Sequence, residues 1–178
     1  GAVSEISTCV PDIEGAYLFA EKFSNEVILQ GHSLGCDRTI WYLLKSNRKC
    51  KFILLAPCDS YALQSRWLRP VSVEKQLNSL LNGYDEFKDF DWLPLKEYGV
   101  YSHNEEYILP ITRKSLVSIL NGPPLLLFNI KKIFDYSIDS NCLIYIGGKD
   151  NLQTENHNVM FEFFKEKISN VKELYVPK

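Results

Sequence analysis

The sequence predicts an α/β protein built on a mostly parallel sheet flanked by helices. Three observations carry that prediction. Short apolar runs at Val27–Leu29, Lys51–Pro57 and Asn141–Ile146 have the composition of strands buried on both faces. The segment between the first two runs places Ile40, Leu43 and Leu44 at helical spacing, so a helix bridges two strands. A second such unit closes the chain, with a helix over Glu155–Ile168 followed by Val171–Pro177. Strand–helix–strand units pair their strands in parallel.

Taken in order, Pro11–Phe23 reads as a helix, with Asp12 and Glu14 in its first turn and Ile13, Ala16, Tyr17 and Ala20 on one apolar face. Asn25-Glu26 turns the chain into the first strand. That strand runs straight into Gly31-His32-Ser33-Leu34-Gly35, and the bridging helix follows at once. A G-x-S-x-G sequence between a strand and a helix predicts a turn so tight that the serine is strained and both flanking glycines are needed for clearance. Ser33 would then stand out of the turn, and the Leu34 N–H, at the positive end of the helix, would be free to donate to a developing oxyanion.

The second strand, Lys51–Pro57, follows a polar turn at Ser46–Lys49. From Asp59 to about Asp139 the texture changes: Trp67 and Trp92, many Tyr and Phe and several prolines appear, with little strand-like alternation. Ser72–Leu81 and Thr112–Leu120 are predicted helices, each opening on a residue that can cap free N–H groups. The aromatic residues here suit a core as well as a substrate wall. The third strand, Asn141–Ile146, ends in Gly147-Gly148-Lys149-Asp150-Asn151. Val171–Pro177 alternates as an edge strand with one solvated face does.

The Gly31–Gly35 elbow resembles that of the α/β-hydrolase superfamily, and Cys36-Asp37-Arg38 together with the Pro11-Asp12-Ile13-Glu14 helix start resembles a branch that includes siderophore-type esterases. The resemblance implies a serine hydrolase of esterase or thioesterase type. In it Ser33 is the nucleophile, Gly31 and Gly35 form the elbow, Leu34 contributes to the oxyanion hole, and Asp150, just past a strand end, orients the histidine. It further implies that residues 1–58 and 138–178 form a partial hydrolase core and residues 59–137 a helical lid. The small-molecule substrate would carry an ester or acyl bond.

The resemblance covers the second half of that fold. The family's strands before the elbow strand have no counterpart here, so the elbow strand would lie at an open sheet edge, covered by a missing N-terminal segment or by a second chain. The histidine that follows the last strand in this family is expected beyond Lys178, and residues 1–178 alone are expected to be inactive. His32, His103 and His157 do not fit the base position: the first lies inside the elbow, the second in the polar run Ser102–Glu106, the third before the last strand. The competing reading is a non-catalytic hydrolase-like binding module. Acyl transfer in place of hydrolysis also stays open.

Composition narrows the partners. The 178 residues carry a net charge of -2 and 46% hydrophobic residues, enough for one sizeable core and without the basic footprint of nucleic-acid binding. The longest apolar run, Pro123–Phe128, is too short to cross a bilayer, and the N-terminus lacks signal-peptide character, so no membrane association and a cytoplasmic location are expected. Cys9, Cys36, Cys50, Cys58 and Cys142 show no C-x-x-C or Cys/His metal spacing and read as reduced packing residues. Cys36, in the first helical turn, stands where a thiolate would be stabilised. No metal or organic cofactor is expected, since the proposed chemistry needs only nucleophile, base and oxyanion donors.

Overall fold

The structure is a computed structural model that describes residues 8–58, 88, 90–91, 96–98, 106–108, 112–114, 136–150 and 156–177. Its centre is a four-stranded sheet of β1 (Leu29–His32), β2 (Phe52–Leu55), β5 (Ile138–Gly147) and β6 (Ile168–Val176), in the order β1-β2-β5-β6 with every pair parallel. Helix α1 (Cys9–Glu21) precedes β1, α2 (Leu34–Ser46) joins β1 to β2, and α3 (His157–Lys167) joins β5 to β6. The predicted α/β class and parallel sheet are therefore present, and β1 lies at one edge among the described strands.

Burial explains the layering. Along β2, Phe52 and Leu54 are buried while Ile53 and Leu55 are half-buried, and along β5 Cys142, Ile144 and Ile146 alternate in the same way with Leu143 and Tyr145. Phe52 pairs with Cys142 and Leu54 with Ile144, so the buried residues stand side by side on one face. Ile40 and Leu43 of α2 and Met160, Phe161 and Phe164 of α3 complete the same core, so both connecting helices cover that face. Each fully buried aliphatic side chain there, such as Ile40, Leu54 or Ile144, contributes about 1.5–3 kcal/mol relative to exposure.

Helix α1 packs on α2. Tyr17 and Tyr42 lie with ring centroids 6.4 Å apart, and the Arg48 guanidinium, just past α2, reaches back to Glu14 and Glu21 of α1. Pro11 sits in the first turn of α1, where the missing N–H costs nothing because no helical partner exists for it. Asn47 stops α2 in the left-handed conformation (φ 55°), and the Asn156 side chain caps α3 by accepting from the Asn158 N–H at 2.9 Å.

The element boundaries differ from expectation in instructive ways. β1 starts at Leu29, where the apolar run ends, because pairing with β2, its one neighbour among the described strands, sets its extent: pairing opens with Leu29 opposite Phe52. The last strand begins at Ile168, with no loop after α3, and pairs there with Ile138 across a register irregularity in β5. Among the described strands it lies at the sheet edge, but the expected single solvated face is not seen: adjacent residues such as Leu174 and Tyr175 are both exposed. Within the segment expected to be a helical lid, Lys96–Tyr98 (β3) and Glu106–Ile108 (β4) form an antiparallel pair. Strands of three residues are too short for alternation to show in sequence. The predicted helix Ser72–Leu81 and most of Thr112–Leu120 fall outside the described residues, although Arg113 and Lys114 are helical. No helix among the described residues is long and apolar enough to cross a membrane.

Candidate active site

β1 ends at His32 and α2 begins at Leu34, leaving Ser33 as the single residue of the turn. Its backbone lies at φ 53° and ψ −125°, a conformation that costs a non-glycine residue about 1–3 kcal/mol. Neighbouring hydrogen bonds hold it there. The Ser33 N–H donates to the Leu55 carbonyl at 3.0 Å, and the Ser33 carbonyl accepts from the Cys36 N–H at 2.9 Å. Leu34 opens the helix, so its N–H is one of those without an intrahelical partner. The local geometry is a tight strand-to-helix turn with one strained residue, Ser33, at its apex.

The two glycines differ in what the turn asks of them. A Cβ on Gly31 would lie 2.5 Å from the Gly35 carbonyl oxygen and 2.7 Å from Thr39 Oγ1, so only glycine fits. A Cβ on Gly35 would meet no described atom within 4 Å, contrary to the expectation that both glycines are needed for clearance. The crowding is one-sided: the Gly35 backbone presses on Gly31, while the position of a Gly35 side chain faces away.

A second kink stands beside the first. Ala56, the residue after β2, has φ 46°, and its N–H donates to the Tyr145 carbonyl at 2.9 Å. Since His32 pairs with Leu55, the positive-φ residues Ser33 and Ala56 occupy equivalent places on adjacent strands. The kink and Pro57 bring Cys58 to the elbow, where its Sγ lies 3.8 Å from Ser33 Oγ. Sequence reasoning missed Ala56 and Cys58. A residue before proline is expected to be extended, so the signal in Ala56-Pro57 pointed the wrong way.

Asp150 lies just beyond β5, in a turn where its N–H donates to the Gly147 carbonyl at 3.1 Å. Because β1 and β5 run parallel with only β2 between them, Ser33 and Asp150 lie at the same, carboxyl-terminal end of the sheet, the end at which open α/β sheets bind ligands. The Gly148 N–H donates to the Val176 carbonyl at 2.7 Å, fastening the Asp150 loop to the end of β6. The structure thus brings Ser33, Leu34 and Cys58 to one point and places Asp150 along the same rim. His157, at the start of α3, stacks on Tyr175 with ring centroids 3.9 Å apart, and His32 is exposed at the end of β1. His103 lies outside the described residues.

Burial raises the thiols of Cys9, Cys36, Cys50 and Cys142 above their ordinary range. Cys36 is fully buried with its Sγ 3.4 Å from the carbonyls of both Gly31 and Leu55, and burial first, then the Asp37 charge, pushes its thiol far above the usual range. The expected stabilisation of a thiolate at the helix start is overridden by desolvation. Burial likewise pushes Cys142 up to about 12. None of the five cysteines forms a disulfide and all are buried, and no group of three or more His, Cys, Asp and Glu among the described residues could hold a metal ion. A groove of about 740 Å³ opens elsewhere, at the amino-terminal ends of the strands, lined by Ile53, Cys142, Leu143, Ile168 and Val171 among others.

In comparisons with known proteins, the chain matches no family model and no curated protein.

Proposed function

We propose that this chain carries the nucleophile and the acid of a serine hydrolase of the α/β-hydrolase type, acting on an ester, thioester or related acyl bond. The observation that carries the reading is the strained backbone of Ser33 between a parallel strand and a helix start. Strain of this kind persists only where its surroundings over-determine it, and it clusters at sites that use it. Ser33 Oγ attacks the substrate carbonyl while the Leu34 N–H supplies half of the oxyanion hole. Asp150 holds a histidine in the required tautomer and stabilises the imidazolium formed when it takes the serine proton. That histidine comes from outside residues 1–178. The attachment of the Asp150 loop to Val176 supports this, because chain continuing from the end of β6 would start beside the acid. How well the site excludes water decides between hydrolysis and acyl transfer.

The test is labelling with a fluorophosphonate probe and peptide mapping, on residues 1–178 and on the protein with its natural flanking sequence. Label on Ser33 in the longer form, absent in Ser33→Ala, is expected. A longer form that stays unlabelled while a serine esterase control reacts would leave a non-catalytic binding module as the better account.

A further inference from the structure

The hydroxyl of Ser33 presents a question that the elbow alone does not answer. A serine at the N-cap of a helix ordinarily turns its oxygen back to accept from a backbone N–H of the first turn, satisfying one of the free donors there. A nucleophile doing so would spend a lone pair on its own helix and point away from substrate. Ser33 is the N-cap of α2, yet its side chain makes no capping hydrogen bond. Its oxygen instead lies 3.8 Å from Cys58 Sγ, in a geometry in which either group can donate.

Cys58 is delivered to that point by specific backbone features. It is buried, 5% exposed, two residues beyond Ala56, whose positive φ turns the chain after β2. The Ala56 N–H is fixed to Tyr145 on β5, and the Leu55 carbonyl accepts from Ser33 itself, so the segment bearing the thiol is tied to the elbow through the sheet. Resting on the hydrolase reading above, we infer that Cys58 is a positioning residue for the nucleophile: its thiol holds the Ser33 hydroxyl outward, against the pull of self-capping. A thiol suits the task because it is both a weak donor and a weak acceptor. It selects a direction for the hydroxyl and releases it at little cost when a base and a carbonyl arrive.

The experiment measures the second-order rate of fluorophosphonate labelling at Ser33 in the protein with its natural flanking sequence, for wild type, Cys58→Ser, Cys58→Val and Cys58→Ala. Cys58→Val keeps the bulk and removes the hydrogen-bonding group; it is expected to label about three- to tenfold more slowly, the range of one modest hydrogen bond converted at tenfold per 1.4 kcal/mol. Cys58→Ser restores a hydroxyl and is expected to stay within about twofold of wild type, a rescue that a merely space-filling role would not produce. Cys58→Ala provides the same comparison if valine prevents folding, and thermal unfolding checks that each variant is native. Native valine and alanine variants that label at the wild-type rate would overturn the inference while leaving the hydrolase reading intact. Wild-type protein that never labels would remove both.

Discussion

The Ser33 amide donates to the Leu55 carbonyl at 3.0 Å, and the Ala56 amide, one residue further along, donates to the Tyr145 carbonyl at 2.9 Å. Two adjacent parallel strands therefore end in the same manner, each passing its last ladder bond to a residue with positive φ. The sheet itself enforces the strain at the candidate nucleophile. This relation makes the elbow a structural unit of β1, β2 and β5, beyond the five residues of its sequence signature.

That strain has a measurable consequence. Ser33→Gly replaces a residue at φ 53° with one that adopts such angles freely, relieving about 1–3 kcal/mol, against which the more flexible unfolded chain costs about 0.4–1 kcal/mol. The net expectation is stabilisation by about 1 kcal/mol, a rise in Tm of about 2–4 °C, with complete loss of fluorophosphonate labelling. Calorimetry on the two proteins decides it; a variant that melts lower than wild type would mean the backbone at Ser33 is not strained.

The glycines on either side should respond in opposite ways. Gly31→Ala forces a methyl into the backbone of Gly35 and into Thr39, an overpacking worth about 1–3 kcal/mol. Gly35→Ala places a methyl where no described atom stands, at a helical position where alanine is favoured over glycine by up to about 1 kcal/mol. Urea unfolding should show the first variant destabilised and the second equal to wild type or better. Equal destabilisation by both would show that the crowding is symmetric after all.

Asp150→Asn tests the acid. If Asp150 fixes the tautomer of the general base, the amide leaves the turn intact and lowers turnover by on the order of 10³- to 10⁴-fold, while the Asp150 N–H bond to Gly147 and the unfolding midpoint are retained. A stable variant with near wild-type activity would assign the acid to another residue.

What the sequence made legible follows from which interactions are local. The elbow, the helix Leu34–Ser46 and the order of the four main-sheet strands with their connecting helices are written in short-range spacing: glycines two residues either side of a serine, and apolar residues at Ile40, Leu43 and Leu44. The extent of β1 was not legible, because its hydrogen-bonding partner decides it and not its own apolar run. The kink at Ala56 runs against the local preference of a residue before proline, and the closeness of Cys58 to Ser33 spans 25 residues. Cys36 could be placed on the helix but not assigned a charge state, since desolvation by the surrounding core outweighs the helix end.

The contact between α1 and α2 gives the fold a pH dependence whose sign can be worked out. Arg48 Nε lies 3.0 and 3.2 Å from the two carboxylate oxygens of Glu14, and the buried Tyr42 donates its hydroxyl to the same carboxylate. The Arg48 hydrogen bonds first, and the Tyr42 hydrogen bond second, hold Glu14 below its ordinary value of 4.5. Glu21 and Tyr17 face the same guanidinium, Glu21 by an ion pair at 3.1 Å and Tyr17 beneath it at 4.3 Å. A carboxyl whose folded value is depressed contributes stability in full above its unfolded value and loses it as pH falls through the folded one. Glu14→Gln keeps the shape and removes the charge. Urea midpoints of wild type and variant should therefore differ most near neutral pH, wild type being the more stable, and converge as pH falls below about 4.5. A difference that stays constant across that range would mean that the carboxylate charge does not join the two helices.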